Sequence, residues 1–283
     1  MQRISLLLLY LLLWVAAPLG AQQTKELLVL HTSDTHSRIE PIDVHSSDRN
    51  AGLGGIVRRA TLVKLTRALT PDLLLFDCGD FSQGTPYYNL FHGEVSIRMM
   101  NLMGYDAMAI GNHEFDSGLE NMARLYRMAE FPVVCANYDV TGTVLEGLVH
   151  PYVILQRNGL KIGVFGLSPQ PQGLISAANY QGIVYHDPVA AAQAMSDLLR
   201  HKERCDVVIC LSHLGFRLKD VPCDELVARQ TSGIDLILGG HTHTFLEKPV
   251  LYINKEGRSV AVYHSGNNGV RIGQLRLTLE KKK

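Results

Sequence analysis

Ala107-Met108-Ala109-Ile110-Gly111-Asn112-His113-Glu114-Phe115-Asp116 is a short apolar run that stops at a glycine and opens onto side chains able to bind metal or move protons. The same arrangement recurs along the chain. Leu27–Leu30 leads to Asp34-Thr35-His36, Leu73–Phe76 to Gly79-Asp80, Val207–Leu211 to His213, and Ile234–Leu238 to Gly239-Gly240-His241-Thr242-His243. The apolar runs read as strands alternating with amphipathic segments, the pattern of a layered α/β fold. In an open α/β sheet the loops past the carboxyl ends of the strands converge, and sites assemble there. One Asp or His in such a loop is ordinarily bonded to water or backbone. Recurrence after five strands makes coincidence a poor account.

The residue types point to a metal centre. Asp and His offer anionic oxygen and imidazole nitrogen, Asn a neutral carbonyl oxygen, and no cysteine joins them, which suits Mn²⁺, Fe or Zn²⁺ over a thiolate-bound structural zinc. Asp34-x-His36 and His241-x-His243 have alternate spacing, so in extended backbone each pair would point the same way and grip a metal from one side. Two cations about 3.5–4 Å apart need a bridging carboxylate. Asp80, after Gly79, is the best candidate. The expected ligands are Asp34, His36, Asp80, Asn112, His213, His241 and His243, four per metal if Asp80 is shared.

The blocks Asp34-Thr35-His36, Gly79-Asp80-Phe81-Ser82-Gln83-Gly84, Gly111-Asn112-His113-Glu114-Phe115-Asp116, Ser212-His213 and Gly240-His241-Thr242-His243 resemble, in residue and order, the calcineurin-like metallophosphoesterases, in particular the 5′-nucleotidase branch. The resemblance implies an α-β-β-α sandwich of two mixed sheets with the metals at one edge. It also implies one metal on Asp34, His36, Asp80 and His243 and a second on Asp80, Asn112, His213 and His241. His243 stands where the nucleotidase branch often has Gln and follows the broader phosphoesterase pattern. Two divalent cations lower the pKa of a bridging water from about 15.7 toward neutrality, so hydroxide is the expected nucleophile. His113 then serves leaving-group protonation or transition-state stabilisation, with Asp116, three residues on, orienting it. The competing reading of Asp116 is a cap for the helix near Leu119.

Helices are expected over Gly55–Leu69, Val95–Leu102, Leu119–Met128, Pro188–Lys202 and Asp224–Arg229, the fourth announced by Asp187-Pro188. A further strand is expected at Val133–Cys135. Hairpins are expected at Tyr152–Gln156/Leu160–Phe165 across Asn158-Gly159 and at Val250–Ile253/Val260–Tyr263, and a last strand alternates Leu275, Leu277 and Leu279 with polar residues. Ser82 and Ser212 read as hydrogen-bond donors beside ligands, not triad nucleophiles. His31 reads as structural, and His92 and His264 as residues that could edge the site. Five cysteines without a C-x-x-C read as buried small hydrophobes.

Residues 1–21, with Arg3 before the largely apolar Ile4–Ala17, read as a secretory signal, shorter than the roughly 20 residues of a spanning helix. No linker divides residues 22–283, so one catalytic domain, exported to a periplasmic or extracellular location and without a stable membrane span, is expected. Lys+Arg 27 balances Asp+Glu 27 and gives no electrostatic footprint for nucleic acid. The expected function is an exported dinuclear-metal phosphohydrolase acting on small phosphate esters, 5′-nucleotides first. The alternatives are a non-catalytic metal-binding subunit of a two-chain envelope nucleotidase, or a phosphodiesterase or nucleotide-sugar hydrolase on the same fold. The resemblance further implies a C-terminal nucleotide-gripping domain. A separate chain supplying it, hydrolysis without it, or local recognition by Phe81, Tyr87, Tyr88, Asn137 and Tyr138 are the three expectations.

Overall fold

Each strand of the parallel core divides its side chains between two apolar layers, and this division builds the molecule. The computed structural model describes residues 24–280, so the expected export signal lies outside the described residues. The first half runs β1 (Thr24–Thr32), α1 (Ile56–Leu69), β2 (Leu74–Asp77), α2 (Pro86–Phe91), α3 (Glu94–Met103), β3 (Ala107–Ala109), α4 (Gly118–Met128), β4 (Val133–Val134), β5 (Tyr138–Asp139) and β6 (Val149–His150). The second half runs β7 (Tyr152–Arg157), β8 (Leu160–Leu167), β9 (Val184–Tyr185), α5 (Pro188–Asp197), β10 (Val207–Ser212), α6 (Asp224–Gln230), β11 (Leu236–Gly239), β12 (Val250–Ile253), β13 (Ser259–His264) and β14 (Gly273–Glu280).

One sheet has the order β14-β1-β2-β3-β4-β6 and the other β12-β13-β11-β10-β8-β7. In the first, β14 runs antiparallel to β1 and the other neighbours are parallel. In the second, the parallel centre β13-β11-β10-β8 is flanked by antiparallel β12 and β7. The sheets face each other across Leu27, Val29, Leu74, Phe76, Val164, Ile209, Leu211 and Leu238. The alternate residues Leu75, Met108 and Ile110 pack outward with Ile97, Met122 and Leu125 of α3 and α4, while Val208, Cys210 and Ile237 pack outward with Ala192 of α5 and Val227 of α6. Helix, sheet, sheet, helix is the resulting order of layers, as the family resemblance implied.

The Asp187 carboxylate accepts the Ala190 N–H and starts α5 as expected. Asn158 and Gly159 take positive φ, 48° and 65°, in the β7–β8 turn. All five cysteines are free and buried. Two expectations shift. The helix at Pro188 stays α-helical only to Asp197, and Leu198–Lys202 continues as one wider π turn. The strand read at Ile234 begins at Leu236; Asp235, just before it, accepts the Val208 N–H on its carboxylate and pairs with Arg200. Helix α2, whose Thr85-Pro86 start was passed over in the sequence, was not expected, and the two-residue strands β5, β6 and β9 carry no sequence signal of their own and exist through their tertiary partners.

Candidate metal centre

The carboxyl ends of β1, β2, β3, β10 and β11 meet along one edge of the sandwich, and the loops there bind each other through backbone. Asp34 N–H donates to Gly79 O at 2.9 Å and His36 N–H to Asp80 O at 3.0 Å, while Gly240 N–H donates to Ser212 O at 3.0 Å. Asp34, His36, Asp80, His241 and His243 all hold left-handed backbone, with φ of 51°, 47°, 59°, 71° and 52°. Such conformations cost of order 1–3 kcal/mol each and persist where the surroundings over-determine them. Five of the seven expected ligands carry this strain.

This backbone corrects the alternate-spacing argument. Asp34-x-His36 and His241-x-His243 are not extended, and left-handed turns set where their side chains go. Asp34 and His36 do share a cluster, with His243, but His241 joins Asp80 and His213 instead. Candidate ligand atoms within each trio lie within 4.8 Å of one another. Asn112 meets the second trio, its Oδ1 2.9 Å from His241 Nδ1. All seven expected ligands therefore gather at one edge.

Asp34 and Asp80 are fully buried carboxylates with His213 between them. His213 Nδ1 donates to Cys78 O at 2.7 Å, which leaves Nε2 facing Asp80 Oδ2 at 3.0 Å and Asp34 Oδ1 at 3.8 Å. That Nε2 has no aligned hydrogen-bond partner. A buried nitrogen aimed between two carboxylates without a satisfactory partner is what a cation's donor set looks like once the cation is removed. Burial opposes charge at both ends of the Asp80–His213 contact, yet their mutual attraction prevails. It holds the Asp80 carboxyl below the usual range and the His213 imidazolium above it. Burial, opposed by His213 and reinforced by the Asp80 charge, raises Asp34.

On the other side, His36 Nε2 faces His243 Nε2 at 3.0 Å, with His36 Nδ1 against Ser82 O and His243 Nδ1 against Asn267 Nδ2. Burial depresses His36 and His241 to about 4 and lowers His243. These rings are neutral at physiological pH, the form that binds metal. The donor set of carboxylates, imidazoles and one amide oxygen fits two divalent cations with borderline or hard character.

His113 sits beside this set. Its N–H donates to Asp80 Oδ1 at 2.8 Å, its ring lies 5.4 Å from that of His36, and its Nδ1 meets Asp116 Oδ2 at 2.8 Å. The hydrogen bond to Asp116 raises its pKa against partial burial. The capping role for Asp116 is excluded, because α4 begins at Gly118 after Ser117, without a side-chain cap.

Residues 27–245 match the family described as calcineurin-like phosphoesterase. The chain belongs to that family. It is 34% identical over 277 residues to the 5′-nucleotidase of Rattus norvegicus, covering 91% of this chain and 47% of that protein. Among solved structures it is similar to the 5′-nucleotidase precursor from Thermus thermophilus (32% identity, TM-score 0.83, covering 90% of this chain and 52% of that one). It is also similar to the NAD nucleotidase of Haemophilus influenzae (26%, TM-score 0.81, 92% and 48%). The chain thus spans about half the length of each of these three proteins. Their remaining half lies in the same polypeptide, so these relatives lend no support to a separate partner chain.

Sequence reasoning passed over one residue inside the Gly111–Asp116 motif. Buried Glu114 accepts the N–H groups of Asp80 (2.9 Å), Ser82 (3.2 Å) and Gly111 (2.7 Å). It ties the β2 loop to the β3 loop, and burial followed by the Asp80 charge pushes its carboxyl upward. A Cβ at Gly111 would fall on the Asp80 carboxylate, so glycine alone permits that approach. Local nucleotide recognition loses most of its candidates. Phe81, Asn137 and Tyr138 are core residues, the buried Tyr88 hydroxyl is engaged by Ser117, and Tyr87 bonds outward to Glu40. His92 is exposed and reaches Ser117, which borders Asp116. His264 does not edge the site but is buried behind it.

Proposed function

We propose that this chain hydrolyses small phosphate esters, 5′-nucleotides first among them, with two divalent cations held by Asp34, His36, Asp80 and His243 on one side and by Asp80, Asn112, His213 and His241 on the other. The observation that carries the reading is His213 Nε2, buried between Asp34 and Asp80 without an aligned partner, at the seam joining the two trios. Cations bound there would neutralise phosphoryl charge and acidify a water, so no protein nucleophile is required.

The chain's own groups supply the rest. Asp116 accepts the His113 Nδ1–H, fixes the ring, and favours its protonated form. His113 Nε2–H is then placed to donate a hydrogen bond, and finally its proton, to the departing ester oxygen. Glu114 holds the backbone from which Asp80 and His113 project. Ser212 is no nucleophile, since its hydroxyl donates to buried Asp224. Family membership and the named relatives support an enzyme, and the signal-like residues 1–21 support its export to a periplasmic or extracellular location. The decisive experiment follows AMP and p-nitrophenyl phosphate turnover with Mn²⁺, after chelation, and in Asp80→Ala. Turnover that appears with Mn²⁺ and is lost in both other arms is expected, and turnover surviving both would reject the proposal.

A further inference from the structure

Behind the metal-ligating loops lies a buried polar knot that the proposed chemistry does not use. Ser212, Gly239 and His264 are lateral neighbours at the ends of β10, β11 and β13. Ser212 shares the outward face of Val208 and Cys210, toward α6. Asp224, the first residue of α6, lies across all three. Its Oδ1 accepts the Ser212 hydroxyl, and its Oδ2 meets His264 Nε2 at 2.7 Å. A Cβ at Gly239 would collide with both the Asp224 carboxylate and the His264 ring, so the middle strand contributes a glycine through which they meet. Ser212, Asp224 and His264 are essentially solvent-free, and the Leu214 N–H donates back to Ser212 Oγ at 3.1 Å.

Asp224 sits in the middle of this chain of bonds, between serine and histidine. The arrangement therefore cannot relay a proton from Ser212 to His264 as a hydrolytic triad does, where histidine stands between the other two. What it joins is positional. The residue after Ser212 is the expected ligand His213, two residues after Gly239 comes His241, and three after His264 comes Asn267, which contacts His243. A buried, uncompensated carboxylate is costly unless its hydrogen bonds are complete, and here each oxygen has one.

We infer that Asp224 is a positioning residue that, through Ser212 and His264, holds the ends of β10, β11 and β13 in the register that aims His213, His241 and His243 at the cations. The inference rests on the metal-binding reading above. It also assigns the His264 tautomer. Nε2–H donates to Asp224, and the lone pair of Nδ1, which has no partner, faces the interior.

The test measures Mn²⁺ affinity of the metal-free full chain by calorimetry in the wild type, Ser212→Ala, Asp224→Asn, His264→Leu and His264→Gln, alongside thermal midpoints and histidine ¹⁵N spectra. Asp224→Asn and His264→Leu are expected to weaken Mn²⁺ binding on the order of tenfold, as supporting residues of metal sites do. Ser212→Ala should do so less, and His264→Gln, which keeps an N–H for Asp224, should recover most of the affinity lost in His264→Leu. In Asp224→Asn the amide donates to His264, and the ¹⁵N signals should move to the Nδ1–H form. Wild-type affinity in every folded variant, or equal loss in His264→Gln and His264→Leu, would overturn the positioning role alone. A wild-type chain that binds no Mn²⁺ would overturn the function proposed above and this role together. Should Asp224→Asn not fold, the two His264 variants decide the matter.

Discussion

In the proposed chemistry His113 and Asp116 separate acid–base work from metal binding. Neither is in the trios, yet His113 adjoins Asn112 and donates its backbone N–H to Asp80. His113→Asn is expected to lower kcat by about 10²–10⁴ while Mn²⁺ affinity stays near wild type, because it removes a proton donor and leaves the donor set intact. Steady-state kinetics together with calorimetry checks both halves. Gly111→Ala should be far more severe than an ordinary surface substitution, since its methyl falls on the Asp80 carboxylate. Loss of Mn²⁺ binding in a folded Gly111→Ala chain is the expected signature.

The buried His213 between two carboxylates gives a pH prediction whose sign can be worked through. In the metal-free chain the Asp80 charge keeps His213 protonated above its ordinary range, and burial keeps a proton on Asp34 more readily than on a free aspartate. A cation needs the neutral ring and the anionic carboxylate, so it must displace these protons. Mn²⁺ uptake near pH 8 is expected to release protons, and affinity to rise with pH. Calorimetry in two buffers of different ionisation enthalpy measures the release directly. Equal heats in both would contradict it.

At the scale of elements, the layer between the sheets carries the stability and sets the separation of the ligand-bearing loops. Phe76 is fully buried there, one residue before Asp77 and four before Asp80. Phe76→Ala should cost about 3–5 kcal/mol by transfer and cavity terms, read as a lower denaturant midpoint at unchanged slope. The same elements show why legibility differed along the chain. Leu73–Phe76 and Val207–Leu211 were visible as strands because continuous burial demands apolar runs. Strands β5, β6 and β9 were not, since two residues hold no period and their partners lie up to 47 residues away, as with Tyr138 and Asp139 against Tyr185 and Val184.

At the scale of the whole molecule, cations that bind only the folded chain add to its stability by mass action. At about one hundred times the dissociation constant each independent site contributes about 2.7 kcal/mol. Chelation should therefore lower the thermal midpoint, and restored Mn²⁺ should raise it again, as a calorimetric scan would show. Among the described residues no helix is long and apolar enough to cross a membrane. Phe81, Asn137 and Tyr138 are committed to the core, so nucleotide selection does not fall to them.

The chain's order of residues determined the long strands, the five loops after them and the seven expected ligands, because metal chemistry restricts residue type and burial restricts polarity, and both restrictions are local. Tertiary structure alone decided that left-handed turns aim His36, His241 and His243, that Glu114 ties two loops together, and that Asp224 closes on Ser212 and His264. Each of these depends on left-handed turns or on contacts between segments remote in the chain. Neither leaves a periodic mark, because the energy that selects them comes from groups that become neighbours only after the two sheets have packed.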